Sequence, residues 1–379
     1  MSSEVGKVNL LCIVPSLRRG GAETQVVDLV DGLDGGAFKK IVVTFEPGLD
    51  QLARLEETGA GFHHFLRKRK IDLGVARNIA AVIDEQNIDI VHCTLQIALL
   101  MGWFALRFSK RKPKLVVTVH TTLQRSLKDK ILDRIVYRRL LYSCDRVIFV
   151  CRTQADHWMS IHRRLRNKSV VIYNGVDHEY YDPDLYIEQG AEFRAQHGMP
   201  EDARLIACIA GFRVEKGHDY LINAFSQLDP GPYLILAGDG VQRKAIEQLI
   251  RDSGVSDRIL LLGEIQDVKP LLAAADVTVI ASTAVETFSI AMLESMAMGV
   301  PVVATNVGGL GEAVHTGRTG ELVTPGSSDE LYQALKKVVL DDNYRCSMFR
   351  QARSDVIKLF SKEAMISQTR KVLLDLVAA

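Results

Sequence analysis

A chain of 379 residues is too long for one hydrophobic core and suits two domains of ordinary size. Its composition, 47% hydrophobic and 25% charged, is that of a globular protein and excludes disordered and fibrous classes. The six cysteines are scattered without a C-x-x-C pair, which excludes a disulfide frame or a cysteine-built zinc site, and the net charge of +1 hides a basic stretch up to Asp182 followed by an acidic remainder.

The first residues, MSSEVGKVNLL, lack the charged-then-apolar pattern of an export signal, so a cytoplasmic protein with reduced thiols is expected. Val8 to Pro15 is a continuous apolar strand that runs into Gly20-Gly21-Ala22-Glu23 and then a helix to about Leu33. Strand, glycine-rich turn and helix form a phosphate-cradling layout, although the same residues also suit a simple tight turn; the dinucleotide pattern G-x-G-x-x-G is absent. Strands at Lys40 to Phe45, Gly61 to Leu66 and Asp89 to Cys93 alternate with helices at Leu49 to Thr58 and Leu73 to Asn87. Ile97 to Leu106, the longest apolar run, is too short to span a membrane and reads as a buried helix. Four consecutive basic residues, Arg67 to Lys70, are either a solvated loop or a point of attraction to an anionic surface. Leu115 to Val119 is a β-branched strand ending at His120, where a side chain can overhang the crevice of an open sheet. Leu127 to Tyr142 has the pattern of a basic amphipathic helix, which packs on the sheet or docks on a membrane. Strands at Arg146 to Val150 and Ser169 to Tyr173 lead to a turn, Asn174 to Asp177, and then to a polar, aromatic stretch from His178 to Gly190 that reads as a linker. Asp182 and Asp184 have metal-binding spacing there, but no strand aims them.

The alternation restarts with strand Leu205 to Ala210, loop Gly211 to Gly217 and helix Tyr220 to Leu228. At the end of the first strand, Arg213 and Lys216 are either surface charges or a clamp for a diphosphate, the arginine as a fork and the lysine as a point charge. Strands Tyr233 to Leu236 and Ile259 to Leu262 follow, the second leading to Ile265. Val277 to Ile280 is a strand, Ala281 to Val285 a turn, and Met292, Leu293, Met296 and Ala297 fall on one helix face before Gly299 and Pro301 end it. Glu286 closes that turn, and Glu294 lies among apolar residues, where a carboxylate needs solvent or partners. Glu294 either caps a neighbouring loop or, with Glu286, faces a ligand crevice, where carboxylates accept from both hydroxyls of a sugar diol and the N–H groups of Ser289 and Ile290 receive an anion. Strand Val302 to Thr305, the Gly308-Gly309 loop and a final helix, Lys362 to Val377, complete the chain.

The stretch from Glu286 to Glu294, with the Ser-Met-Ala-Met-Gly-Val-Pro-Val-Val-Ala that follows, resembles the E-x7-E signature of retaining GT-B glycosyltransferases, and of family 4 in particular. GGAE at Gly20, VVTVHTT around His120, NGVD at Asn174 and GFRVEKG at Gly211 resemble further loops of that family, so the likeness spans essentially the whole chain. It implies an α/β fold of two Rossmann-like domains facing across a cleft, residues 1–180 with 362–379 holding the acceptor and residues 181–361 holding the nucleotide sugar, with the last helix returning to the first domain. It also implies roles. Gly20 and Gly21 line the donor phosphates and acceptor, Arg213 and Lys216 stabilise the leaving diphosphate, and His120 and Glu286 place the hexose. Glu294 grips the ribose, Phe288, Ser289 and Ile290 complete the donor site, and the backbone at Ile265 meets the base. Serine at 289 departs from the family's usual glycine.

The expected reaction is metal-independent, front-face transfer of a hexose from a UDP-sugar, with GDP as the next choice, to a hydroxyl of a lipid-linked or cell-envelope glycan. No cofactor and no nucleic-acid partner are expected; the basic loop and helix of the first domain are either ordinary surface elements or a point of contact with the inner face of an anionic membrane. A nicotinamide dehydrogenase lacks its fingerprint here and a phosphorylase its pyridoxal-lysine signature, whereas an inactive sugar-nucleotide binding protein or a transferase for a small soluble acceptor would share every donor motif.

Overall fold

A computed structural model describes residues 7–120, 136–200, 202–284 and 286–378. The chain divides into two compact units, Met1–Gly175 with Lys362–Ala379, and Val176–Ser361. The handover falls at Gly175, on the turn at Asn174, instead of at residue 180.

In the first unit, strands β1 (Val8–Ile13), β2 (Phe38–Thr44), β3 (Gly61–His64), β4 (Ile90–Thr94), β5 (Lys114–Val119), β6 (Arg146–Phe149) and β7 (Ser169–Val171) alternate with helices α1 (Gly21–Gly32), α2 (Leu52–Glu57), α3 (Leu73–Glu85), α4 (Gln96–Phe108), α5 (Arg138–Ser143) and α6 (Arg152–Ile161). The strands pair in parallel in the order β3-β2-β1-β4-β5-β6-β7. Central strands covered on both faces need apolar residues at every position, and β1 and β4 are buried almost throughout. The final helix of the chain, Lys362–Ala378, packs against α1. Close approach is possible because Gly32 leaves room for Ile366, which a Cβ at 32 would strike, and Lys362 Nζ holds Asp31 at 2.8 Å. Of the expected helix from Leu127 to Tyr142, residues up to 135 lie outside the described ones. Arg67 is not a solvated charge: it pairs with Glu46 and its Nη1 donates to the carbonyl of Lys70 at 2.8 Å.

The second unit contains α7 (Ile187–Gln196), β8 (Leu205–Ile209), α8 (His218–Phe225), β9 (Tyr233–Ala237), α9 (Arg243–Asp252), β10 (Ile259–Gly263), α10 (Lys269–Ala274), β11 (Val277–Ile280), α11 (Ile290–Ala297), β12 (Val302–Thr305), β13 (Gly320–Val323), α12 (Ser328–Leu340) and α13 (Asp342–Leu359); the last helix of the chain is then α14. Its strands are also parallel, in the order β10-β9-β8-β11-β12-β13. Both sheets are Rossmann-like: each starts in the middle and reverses direction beside its first strand, between β1 and β4 and between β8 and β11. At such a switch point the loops leaving adjacent strands diverge to opposite faces and open a crevice.

The stretch from His178 to Gly190 is not a free linker. Pro183–Leu185 forms a 3-10 turn capped by Asp182, and α7 lies so close to α10 that a Cβ at Gly190 would sit 2.9 Å from the Ala273 carbonyl carbon. Polar and aromatic composition marked it as a connector; tertiary contacts made it part of the unit.

Candidate active site

At the switch point of the second unit, β8 delivers the loop Ala210 to Gly217 and β11 the loop Ala281 to Ser289. The two are locked together by backbone. Thr283 N donates to the Glu215 carbonyl at 2.9 Å. Gly217 adopts φ +65°, and a side chain there would collide with the carbonyl of Ala281. On the other side of the second loop, Gly308 (φ +58°) lies against the Glu286 carbonyl with no room for a Cβ, and Gly309 N donates to Thr287 O at 2.7 Å.

This lock brings together a close charge pair. Lys216 Nζ is 2.5 Å from Glu286 Oε2, which also accepts from Ser282 Oγ at 2.8 Å, and both charged side chains are largely buried. Partial desolvation makes the pair rigid and any uncompensated partner costly. Arg213 differs. It is exposed, its Nε standing 3.6 Å from Glu215 Oε1, so its fork remains available to an incoming anion. His218 follows directly: it is buried edge-on to Phe212 and, pushed down to about 4 by burial and by Lys216, is neutral at pH 7.

Helix α11 carries the remaining donor-side candidates. Ser289 caps it, its Oγ accepting from Met292 N at 3.3 Å. The serine hydroxyl therefore serves the helix, while the N–H groups at Ser289 and Ile290 begin it. Glu294 lies one turn on and accepts from the Tyr181 hydroxyl at 2.7 Å. The Phe288 ring is buried against Phe360, centroids 5.2 Å apart, which leaves its backbone as the part able to meet a ligand. The Ile265 side chain packs against the apolar cluster around Leu205 and Leu271, which leaves its backbone as the part able to meet a ligand.

The switch point of the first unit is chemically different. Gly20 is the N-cap of α1, and a Cβ there would strike the Glu23 carboxylate; Gly21 opens the helix. After β4, Leu95 is held at φ 76°, ψ 158°, a conformation rare outside glycine. His120, at the end of β5, lines a cavity of about 30 Å³ together with Gln25, His92, Thr94, Thr118 and Asn174. His92 is buried and shares a 2.8 Å hydrogen bond with Thr118 Oγ1. Burial pushes both imidazoles down to about 4, His120 also feeling His92, so both are neutral at pH 7.

Residues 190–355 match the family model for glycosyl transferases group 1, and residues 19–180 that for glycosyltransferase family 4. An uncharacterised glycosyltransferase of Methanocaldococcus jannaschii is 30% identical over 75% of this chain and 74% of its own length. The chain belongs to the group 1, family 4 glycosyltransferases. N-acetyl-alpha-D-glucosaminyl L-malate synthase of Bacillus anthracis is 29% identical over 81% of this chain and 80% of its own. Among solved structures, Anabaena HepE in complex with UDP and glucose superposes with a TM-score of 0.86 at 25% identity, covering 97% of this chain and 100% of its own. The architecture is thus GT-B, and the chain is a transferase.

Of the site residues expected for this glycosyltransferase, the structure brings Arg213, Lys216 and Glu286 to one switch point with α11 beginning beside them, and places Gly20, Gly21 and His120 in the first unit. Sequence reasoning missed Tyr181, hidden in the supposed linker, and Ser282, whose only signal was a small polar residue in the turn before Glu286. Among the described residues no group of three or more His, Cys, Asp or Glu side chains could hold a metal ion, and no helix is long and apolar enough to cross a membrane.

Proposed function

We propose that this glycosyltransferase moves a hexosyl unit from a UDP-sugar to a hydroxyl of a lipid-linked or cell-envelope glycan, with the anomeric configuration retained and no metal ion. The observation that carries the reading is the Lys216–Glu286 pair, 2.5 Å apart at the switch point with the exposed Arg213 fork on the same loop. A diphosphate arriving there meets two cations and the N–H groups opening α11. Together these supply the charge that a divalent ion provides elsewhere, and they act most strongly as the leaving group gains charge. Glu286 keeps the lysine extended and, with its hydrogen-bonding carboxylate, holds a hexose hydroxyl. Neutral His120 accepts from another, which an imidazolium could not do. Glu294 takes the ribose hydroxyls. In the transfer step the acceptor oxygen bonds to the anomeric carbon on the face that the diphosphate leaves, and its proton passes to the departing phosphate oxygen.

UDP follows from the neighbouring structures that bind UDP and UDP-glucose. The envelope acceptor follows from the net basic first part of the chain and from a lipopolysaccharide core glycosyltransferase of Rhizobium meliloti, 35% identical over 45% of this chain. A small, soluble, anionic acceptor is the second reading, favoured by the malate-glucosaminylating relative and by a D-inositol 3-phosphate glycosyltransferase of Mycolicibacterium smegmatis, 28% identical over 62% of this chain. Thermal stabilisation by a panel of UDP- and GDP-sugars identifies the donor. UDP release is then assayed with L-malate, inositol 3-phosphate or an envelope lipid extract. Transfer to the lipid fraction alone upholds the first reading, and transfer to a soluble acid replaces it with the second.

A further inference from the structure

The segment from Asp177 to Tyr186 had every mark of a connector, yet it is among the more firmly held parts of the second unit. Arg353, on α13, reaches it with its guanidinium: Nη1 donates to the Tyr181 carbonyl at 3.0 Å and to the Ala297 carbonyl at the end of α11 at 2.5 Å, and Nη2 pairs with Asp182 at 2.9 Å. Tyr181 N donates to the Asp177 carbonyl at 3.0 Å. On the flank, Lys269 Nζ sits 3.6 Å from the centre of the Tyr180 ring and 3.1 Å from Asp267. The Tyr181 ring itself packs beside Leu272, Met298 and Val300. One arginine therefore ties the segment and the end of α11 to the same point, and from that anchored position the Tyr181 hydroxyl reaches Glu294 Oε1 at 2.7 Å.

We infer that Tyr181 is a positioning residue for the nucleotide's ribose: its hydroxyl fixes the Glu294 carboxylate in the orientation that accepts the two ribose hydroxyls, and so sets discrimination between ribose and deoxyribose. This rests on the reading of Glu294 as the ribose-binding group. A glutamate on a helix surface has three rotatable bonds, and ordering it on binding costs affinity. A phenol held by its own backbone pays that ordering in the free protein. A carboxylate has about four acceptor positions on its two oxygens, and the phenol takes up one of them. A gate would need Tyr181 to swing away, and the Arg353, Asp177 and Lys269 contacts oppose that. Burial and the neighbouring Glu294 push the phenol's pKa up, so it remains a donor throughout the working pH range.

The test compares the full-length protein with Tyr181→Phe, which removes one oxygen and keeps the ring, by calorimetric binding of UDP and of 2′,3′-dideoxy-UDP. The unaltered protein should prefer UDP strongly, and the variant should bind UDP on the order of tenfold more weakly while binding the dideoxy nucleotide as before. A purely structural role would weaken both nucleotides equally and lower the melting temperature, which overturns the inference, as does a variant that keeps the full preference. If the unaltered protein binds both nucleotides alike, the ribose reading of Glu294 falls and this inference with it; if it binds neither, GDP and 2′,3′-dideoxy-GDP take their place and the same outcomes decide.

Discussion

The two units share one topology and put different chemistry at the same place in it. In the second, the loops leaving β8 and β11 present a desolvated lysine–carboxylate pair and an exposed guanidinium. In the first, β1, β4 and β5 with the loops leaving them present a glycine-capped helix, a strained leucine and imidazoles kept neutral by burial. Parallel strands dictate where a crevice opens, because the connections must diverge at the reversal of strand order. They do not dictate what fills it. A site with fixed cations suits a ligand whose charge grows during reaction; one with neutral donors and acceptors suits hydroxyl groups whose charge does not change. The division of labour is carried by a handful of loop residues on an otherwise repeated scaffold.

The sharpest way to break this contrast is to discharge the second crevice. Lys216→Ala should lower turnover on the order of 10²–10³-fold, the loss typical of one electrostatic donor at a developing anion. It should also lower stability, since Glu286 is left largely buried with the Ser282 hydroxyl as its remaining donor among the described residues, by about 1–3 kcal/mol. The double variant Lys216→Met with Glu286→Gln separates the two effects. Melting should recover because no buried charge remains unpaired, and activity should not. Recovery of both would reduce the pair to a structural ion pair.

Next in size is the lock between loops. A Cβ at Gly308 would run into the Glu286 carbonyl, and the φ of +58° disfavours any side chain there. Gly308→Ala should cost about 2–4 kcal/mol in chemical denaturation and reduce turnover by displacing Glu286 from Lys216. Ala at Gly254, also at positive φ but with open space around its Cβ position, should cost only the backbone term, about 1 kcal/mol, with activity unchanged. Equal effects at both positions would show that the Gly308 contact does not hold Glu286 in place.

How much of this was legible beforehand depended on whether the signal was local. The strand–helix alternation, the helix stop at Gly299 and the candidates Lys216 and Glu286 could be read because hydrophobic period, glycine chemistry and motif spacing lie within a few residues of each other. The short distance between Lys216 and Glu286 could not, since it depends on which strands are neighbours. The packing of the Phe288 ring on Phe360 could not be read either, because nothing near it in sequence announces Phe360. The segment around Tyr181 looked like a linker because proline, aspartate and tyrosine compose loops, whereas Arg353 and Glu294, which hold it, lie far along the chain. A serine before a helical run is an N-cap signature, and the cap is the use the Ser289 hydroxyl finds here.

Acid should act more gently, and on both units alike. His92 and His120 have folded-state pKa values near 4 against 6.5 for a free imidazole, and His218 in the second unit behaves alike. As pH falls below about 6.5, the unfolded chain takes up protons that the folded chain refuses. Stability should therefore decline between 6.5 and 4, with no further contribution from these groups below that. His92→Gln, which can still hydrogen-bond Thr118, should make the decline shallower without altering turnover at pH 7 by more than a few-fold. An unchanged slope would mean that the imidazole is protonated in the folded protein.

The smallest expected effect falls on the acidic pair Asp182 and Asp184, and it bears on whether cations alone serve the second crevice. Asp182 Oδ1 accepts from the Asp184 amide at 3.1 Å and Oδ2 pairs with Arg353 at 2.9 Å, while Asp184 is exposed. A metal ion bound there would have to displace a guanidinium that also holds three backbone carbonyls. Asp182→Asn keeps the cap acceptor and loses one half-exposed ion pair, so it should cost no more than about 1 kcal/mol and leave turnover intact, as should dialysis against a chelator. If chelation abolishes transfer and Asp182→Asn prevents its restoration by magnesium or manganese, the two cations are insufficient and the charge balance assigned to Arg213 and Lys216 must be redrawn around a bound ion.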